Sequence, residues 1–377
     1  MCGIAGIFSK NYSYSFDLYK KQLHEMTNEL HRRGPDSFGF WISKKERIFL
    51  GHRRLSIFDK SSKGSQPMVS NDRRYIIIYN GEIYNFLDLK KNLISNYNVR
   101  FKSNSDTEVL LELISIFGFE KTLKKIVGMY SLVVWDDHEK KLFLSIDPLG
   151  KKPLYWGIIE KDLIFASEIK SILKFRNFQK KINNRAIDSF LKFSYVKSPL
   201  SIYKDLNKLE PGSYLVIDKS FNIKKKKYWN PINFLYKKND EIKSSETLIN
   251  ELKEVIELSV KERLNADVPV GVMLSGGIDS SLVSSIAQNI SSKKIKTFTV
   301  AFQDRLFDES KFAKKISNHL KTDHHTVLLD LDKLNETIEK IPEIYDEPFA
   351  DSSQIPTYLI CKNIKKKVTV ALSGDGG

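Results

Sequence analysis

A cysteine stands directly behind the initiator methionine, in Met1-Cys2-Gly3-Ile4-Ala5-Gly6-Ile7-Phe8. Methionine is removed when the next residue is small, which would leave one residue carrying both a thiol and a free α-amine. A thiol is a weak nucleophile until something takes its proton. An α-amine, with a pKa of about 7.7–8.0, is a base matched to neutral pH. Amide cleavage through a thioester also needs an oxyanion site and charges that grip the substrate. Arg54, in Gly51-His52-Arg53-Arg54-Leu55-Ser56-Ile57, offers a fork for a carboxylate. The Asn80 amide and the Gly81 N–H, in Asn80-Gly81-Glu82, offer donors for an oxyanion. Asp106, in Ser105-Asp106-Thr107-Glu108, offers a negative charge for an ammonium. Each also has a plain structural reading: a strand start for Cys2, a surface charge for Arg54, a hairpin turn for Asn-Gly, and a helix cap for Asp106.

A second chemistry lies near residue 275, in Val270-Gly271-Val272-Met273-Leu274-Ser275-Gly276-Gly277-Ile278-Asp279-Ser280-Ser281. An apolar strand, a Gly turn and a helix start aim several backbone N–H groups at one spot, which is an anion site. The lysine of a Walker A loop is absent, so γ-phosphate transfer is not the natural reading. Such a loop suits pyrophosphate held as a leaving group while an α-phosphate is attacked. The five fixed positions of Ser-Gly-Gly-x-Asp-Ser arise by chance on the order of once per million start points. His324-His325 does not read as a metal site, because adjacent residues of a strand point to opposite faces and no partner shows ligand spacing.

These groups need a scaffold, and 377 residues are enough for two domains with separate cores. Hydrophobic content of 41% and charged content of 28% are those of a globular protein. No apolar run reaches about 18 residues and no signal-peptide stretch opens the chain, so neither a membrane span nor secretion is expected. Two cysteines make no disulfide framework, and a reducing cytoplasm is the expected compartment. The net charge of +15 comes from lysines scattered over the whole length, without a nucleic-acid-binding signature, so no nucleic-acid partner is expected.

Strand-like runs at Cys2–Phe8, Phe38–Ile42, Ile48–Leu55, Arg74–Tyr79, Tyr130–Asp136, Lys141–Ile146 and Leu163–Ala166 cluster in the first 200 residues. Helical periodicity covers Leu18 to Leu30, Phe86 to Leu93 and Thr107 to Phe117. Packed antiparallel sheets covered by helices are expected. After a lysine-rich connector from about Lys224 to Ser245, strands and helices alternate, which signals a parallel α/β sheet. The expected strands are Val268–Leu274, Thr297–Phe302, Thr326–Leu329 and Lys367–Leu372. The chain stops at Ser373-Gly374-Asp375-Gly376-Gly377, after a parallel strand that a helix should cover, so a longer parent protein is expected.

Taken together, Cys2–Gly6, His31-Arg32-Arg33-Gly34-Pro35-Asp36, Arg54–Ile57, Asn80-Gly81-Glu82-Ile83-Tyr84-Asn85 and Ser105–Glu108 resemble the glutaminase domain of class II glutamine amidotransferases. Asp147–Tyr155 and Phe165–Glu168 are similar to that family's later strands, although Ile146 stands where the family usually has Arg. Val270–Ser281, with Thr297–Phe302, His319–His325 and Leu372–Gly376, resembles the pyrophosphate loop and following strands of ATP-dependent adenylating ligases. The pairing resembles the glutamine-hydrolysing asparagine synthetases.

The resemblance implies a four-layer αββα amino-terminal-nucleophile sandwich over residues 1–215, a linker over 216–245, and an ATP-pyrophosphatase-type α/β domain over 246–377. It implies Cys2 as nucleophile, with Asn80 and Gly81 at the oxyanion. Arg54, Asn80, Gly81, Glu82 and Asp106 would bind glutamine. Leu274, Ser275, Gly276, Gly277, Asp279, Ser280, Val300, Ser373 and Gly374 would bind ATP. Mg²⁺ would arrive with the nucleotide, with no dedicated metal site in the protein. Aspartate would be the acceptor, handled near Asp346-Glu347-Pro348 and Asp351-Ser352-Ser353. A homodimer is compatible with it; the alternatives are a relative amidating another carboxylate, such as a sugar acid in polysaccharide biosynthesis, or a fragment with glutaminase activity only.

Overall fold

Every residue of the strand Gly3–Ser9 is buried, yet its side chains enter two different cores. Ile4 and Phe8 pack with one set of neighbours, Ala5 and Ile7 with another. Successive side chains of a strand point to opposite faces, so a strand apolar at every position must be covered on both sides. The computed structural model describes residues 1–235, 244–302, 308–329 and 331–375, and shows how that is achieved.

The chain divides into two units: Met1–Lys237 with Asp346–Ala350, and Lys238–Tyr345 with Asp351–Gly377. The first contains two six-stranded sheets whose paired strands are antiparallel. Gly3–Ser9 lies inside one sheet, between Asp162–Ala166 and Ile48–Arg54. Tyr75–Ile83 lies inside the other, paired with Gly128–Asp136. Between the sheets, Ile4, Phe8, Ile48 and Leu50 meet Ile76, Ile78, Val133, Trp135 and Leu144. Outside the first sheet, Ala5, Ile7 and Phe49 pack on Tyr19, Leu23 and Met26 of the helix Phe16–Glu29. Outside the second, Tyr75, Ile77, Tyr79, Leu132 and Val134 pack on Phe86, Leu93, Val109, Leu110 and Leu113, from helices Phe86–Tyr97 and Asp106–Phe117. The result is a helix, sheet, sheet, helix stack, as the resemblance implies.

Three local expectations change. Tyr75–Ile83 continues four residues past the expected end at Tyr79, so Asn80-Gly81 is not a hairpin turn but sits inside the ladder opposite Ser131 and Tyr130. Ser105 alone caps the helix that follows, accepting from Thr107 N–H at 3.2 Å, while Asp106 is the first helical residue. Lys224–Lys227, expected as connector, belongs to the strand Ile223–Lys227 at the edge of the second sheet. Lysines on an edge strand discourage pairing with another chain. Part of that connector, 236–243, lies outside the described residues.

The second unit carries a parallel sheet in the order Asp323–Leu328, Lys296–Ala301, Val270–Met273, Val370–Leu372. Val272 and Leu372 pack with Val260, Ile286 and Ala287 from helices Ser245–Leu264 and Ile278–Ile290. Met273, Phe298, Val300 and Ala371 pack with Ile360 and Ile364 of the helix Gln354–Ile364. Helices thus lie on both faces, which a parallel sheet requires.

Candidate active site

The first strand starts where Cys2 ends, and the backbone fixes the cysteine. Ile4 N–H donates to Ser167 Oγ at 3.0 Å, and Arg33 Nε donates to the Cys2 carbonyl at 2.9 Å. Leu55 N–H lies 3.4 Å from Cys2 Sγ as donor. One pocket is lined by Cys2, Arg54, Asn80, Gly81, Glu82 and Asp106, along with Met1, Tyr79 and Lys152. Residues distant in sequence and carried by both sheets and a helix start thus face the same space.

Register explains how. Tyr79 and Asn80 are neighbours in a strand, so their side chains leave opposite faces. Tyr79 Oη reaches outward and donates to Asp106 Oδ2 at 2.9 Å, and the same oxygen accepts from Ile83 N–H at 3.1 Å. Asn80 is fully buried, with Nδ2 at 3.5 Å from Ser131 Oγ and no partner for Oδ1. An unpartnered buried amide oxygen costs about 1–3 kcal/mol; as an acceptor it calls for a donor, whereas the weakly bonded Nδ2 is the donor an oxyanion would use. Gly81 admits no side chain, since a Cβ there would lie 2.2 Å from the Met129 carbonyl oxygen. Arg54 donates to the carbonyls of Ser61 (2.8 Å), Phe58 (3.2 Å) and Asp59. Those three bonds fold the 58–61 loop over the guanidinium and leave part of its five-donor fork for a ligand.

Burial dominates the electrostatics. It pushes the Cys2 thiol above its usual value, against the pull of the adjoining α-ammonium and the Leu55 N–H. It raises the Asp106 carboxyl too, opposed by the bonds from Ile83 and Tyr79. With Met1 attached, burial holds the Met1 α-amine down to about 5. An amine so placed is a base at neutral pH.

In the second unit, Leu274, Ser275 and Ser373 follow directly on the C-terminal ends of two neighbouring parallel strands. Ligands of open α/β sheets bind at such strand ends. Ser280 Oγ accepts from Ser275 N–H at 3.2 Å and lies 2.9 Å from Ser275 Oγ, which tightens the turn onto the start of Ile278–Ile290. Gly276 adopts φ +95, a conformation side chains rarely tolerate. A Cβ on Gly374 would lie 2.7 Å from Ser280 N, so the 373–375 turn rests on the same helix start. Val300 lies in the adjoining strand Lys296–Ala301 and packs against the Phe298 core. Asp279 is exposed in the first helical turn.

Against known proteins, a family model of the glutamine amidotransferase domain matches residues 1–229, and one of asparagine synthase matches residues 251–377. A putative glutamine-hydrolyzing asparagine synthetase 2 of Methanocaldococcus jannaschii is 37% identical over the whole of this chain and 74% of its own length. The chain belongs to the glutamine-hydrolysing asparagine synthetase family. Asparagine synthetases (glutamine-hydrolyzing) 1 and 2 of Bacillus subtilis are 35% and 32% identical across the full chain. The chain spans 58% and 51% of those two relatives' lengths. No helix among the described residues is long and apolar enough to cross a membrane.

For this member of the synthetase family, some functional geometry escaped the sequence. Tyr79 as the holder of Asp106, the Arg33–Glu168 pair at 2.9 Å and the buried Lys152 were given no role by the sequence, although Arg33, Lys152 and Glu168 lie inside motifs that carry the resemblance. Asp346 and Glu347, expected near the acceptor, are engaged within the first unit instead. Asp346 accepts from Ile169 N–H at 2.5 Å, and Glu347 accepts from Ile202 N–H at 2.8 Å and pairs with Lys208. Asp351 folds onto its own chain, accepting from Ser353 N–H at 2.8 Å. Ile146, in place of the usual Arg, is buried between the sheets, so no ion pair forms there.

Proposed function

We propose that this chain carries out the two half-reactions of its family: it frees ammonia from glutamine and uses it to amidate aspartate at the expense of ATP. What carries the reading is the convergence of Cys2, Arg54, Asn80, Gly81, Glu82 and Asp106 on one pocket. In the mature enzyme the α-amine of Cys2 takes the thiol proton, and the thiolate attacks the glutamine carboxamide carbon. The Asn80 amide and Gly81 N–H hold the oxyanion. The C–N bond then breaks, ammonia leaves with the proton from the α-ammonium, and water hydrolyses the thioester to glutamate. Asp106 binds the substrate ammonium and Arg54 its carboxylate, with Glu82 beside them.

In the second unit, Ser275, Gly276, Gly277, Asp279 and Ser280 hold the pyrophosphate of ATP, Ser373 and Gly374 the α-phosphate, and Leu274 and Val300 the nucleoside. The aspartate β-carboxylate displaces pyrophosphate, and ammonia then displaces AMP from the mixed anhydride to give asparagine. Mg²⁺ chelated by nucleotide phosphates asks for only one or two protein carboxylates, and Asp279 and Asp375 beside the turn fit that need. Among the described residues no group of three or more acidic, His or Cys side chains gathers to hold a metal. The ion's contribution is to neutralise phosphate charge.

The test is direct. Intact mass should show loss of Met1, and Cys2→Ala should lower ammonia release from glutamine by at least about a thousandfold. AMP formation should require aspartate. Retained glutaminase activity in Cys2→Ala, or AMP formation with a sugar acid in preference to aspartate, would overturn the respective half.

A further inference from the structure

We propose that Lys152 is a positioning residue of the glutaminase centre, whose ammonium keeps the mature α-amine of Cys2 unprotonated near neutral pH so that it can accept the thiol proton. The proposal deepens the glutaminase reading and rests on it.

Lys152 is 5% exposed and lines the pocket that holds Cys2. Its backbone is fixed, because Asp147 Oδ2 accepts its N–H at 3.0 Å, so the side chain is aimed rather than free to leave. Its Nζ lies 2.9 Å from Met1 Sδ. A thioether is a weak acceptor, and burying an ammonium against one is unfavourable. No ion-pair partner reaches Lys152 among the described residues. Arg33, the other cation beside the chain start, has its guanidinium bonded to Glu168 and the Cys2 carbonyl. Removal of Met1 takes away the thioether and puts a new amine on Cys2, leaving the Lys152 ammonium beside it.

The groups facing these two amines are Cys2, Arg33 and Glu82, with Asp147 also facing Lys152. Burial lowers Lys152 to about 8, so the side chain is still charged at neutral pH. With Met1 in place, Arg33 and Lys152 both add to the burial that depresses the α-amine. Two neighbouring cations each make the other harder to protonate. Removing the lysine charge must therefore raise the amine's pKa and reduce the fraction of free base on the acid side.

The experiment compares kcat/KM for glutamine hydrolysis from pH 5.5 to 9.5 in wild type, Lys152→Met and Lys152→Arg. Lys152→Met should move the acid limb up by about one pH unit, with about a tenfold loss on that limb and near-normal values at high pH. Lys152→Arg should return the limb to its wild-type position. The rate of iodoacetamide alkylation of Cys2, measured in a Cys361→Ser background without substrate, should shift in the same way. Lys152→Gln repeats the test with a polar side chain. An unmoved acid limb in both neutral variants, including a uniform loss at every pH, would overturn the proposal. The glutaminase reading itself fails separately, by survival of activity in Cys2→Ala.

Discussion

The two centres are built from different materials. The first depends on side chains: the Cys2 thiol at the head of a buried strand, the Asn80 amide inside another, and the Asp106 carboxylate at a helix start, held by Tyr79. The second relies on backbone, with Ser275 and Ser280 locking a turn that leaves Gly276, Gly277 and Gly374 close together around a helix start. A site made of side chains is sensitive to the identity of single atoms. A site made of backbone tolerates many exchanges around it, but not an added carbon where chains approach. Single substitutions should therefore silence the two centres independently.

Beyond Cys2→Ala, the largest expected effect is at Gly374. Gly374→Ala forces a Cβ to 2.7 Å from Ser280 N, and ATP affinity measured by calorimetry should fall by about a hundredfold or more while glutaminase kinetics stay within twofold. Equal losses in both activities would erase the contrast. Next in size, Asp106→Asn removes the buried carboxylate proposed to grip the substrate ammonium. The KM for glutamine should rise by roughly thirty- to a hundredfold, the equivalent of about 2–3 kcal/mol, with ATP binding unaltered.

The smallest kinetic effect, and a distinct one in stability, belongs to His52, which is fully buried behind the site with Nε2 at 3.1 Å from the Tyr79 carbonyl. Burial lowers its pKa to about 3. Its folded value lies below the unfolded 6.5, so the stability linked to its neutral form is fully present above pH 6.5 and is lost as pH falls towards 3. Across that window the loss amounts to about 5 kcal/mol. His52→Gln should leave glutaminase kinetics at pH 7.5 within twofold and flatten the acid side of the urea-midpoint profile. An unchanged profile would show that other groups govern the acid limit.

Much of the scaffold was legible because both periodicities are strong. Lys141–Ile146 emerges with the same limits from sequence and structure, and the three helices expected in the first unit are all present with shifted ends. Other elements were lost for different reasons. The helix Asn184–Phe193 was missed although Ala186, Ile187, Phe190 and Leu191 recur at helical spacing, because the pattern runs for only ten residues and only Ala186 and Ser189 are buried. The strand Ile223–Lys227 hides behind four lysines that face solvent. At the site, residue types announced Cys2 and Asp106, whereas Lys152 did not stand out among 61 basic residues, because burial is a property of the fold. The partners of Asp346 and Glu347 were hidden for a related reason: their donors, Ile169 N–H and Ile202 N–H, are far away in sequence and are brought to them by the fold.

The pairing of Tyr75–Ile83 with Gly128–Asp136 has a practical consequence for engineering. Tyr79 and Asn80 leave the strand on opposite sides, so adding or deleting one residue upstream would exchange their destinations. The phenol that restrains Asp106 would be driven between the sheets, and the amide would be turned towards the helices. This stretch should therefore accept conservative repacking of Ile76 or Ile78 far more readily than any change in its length.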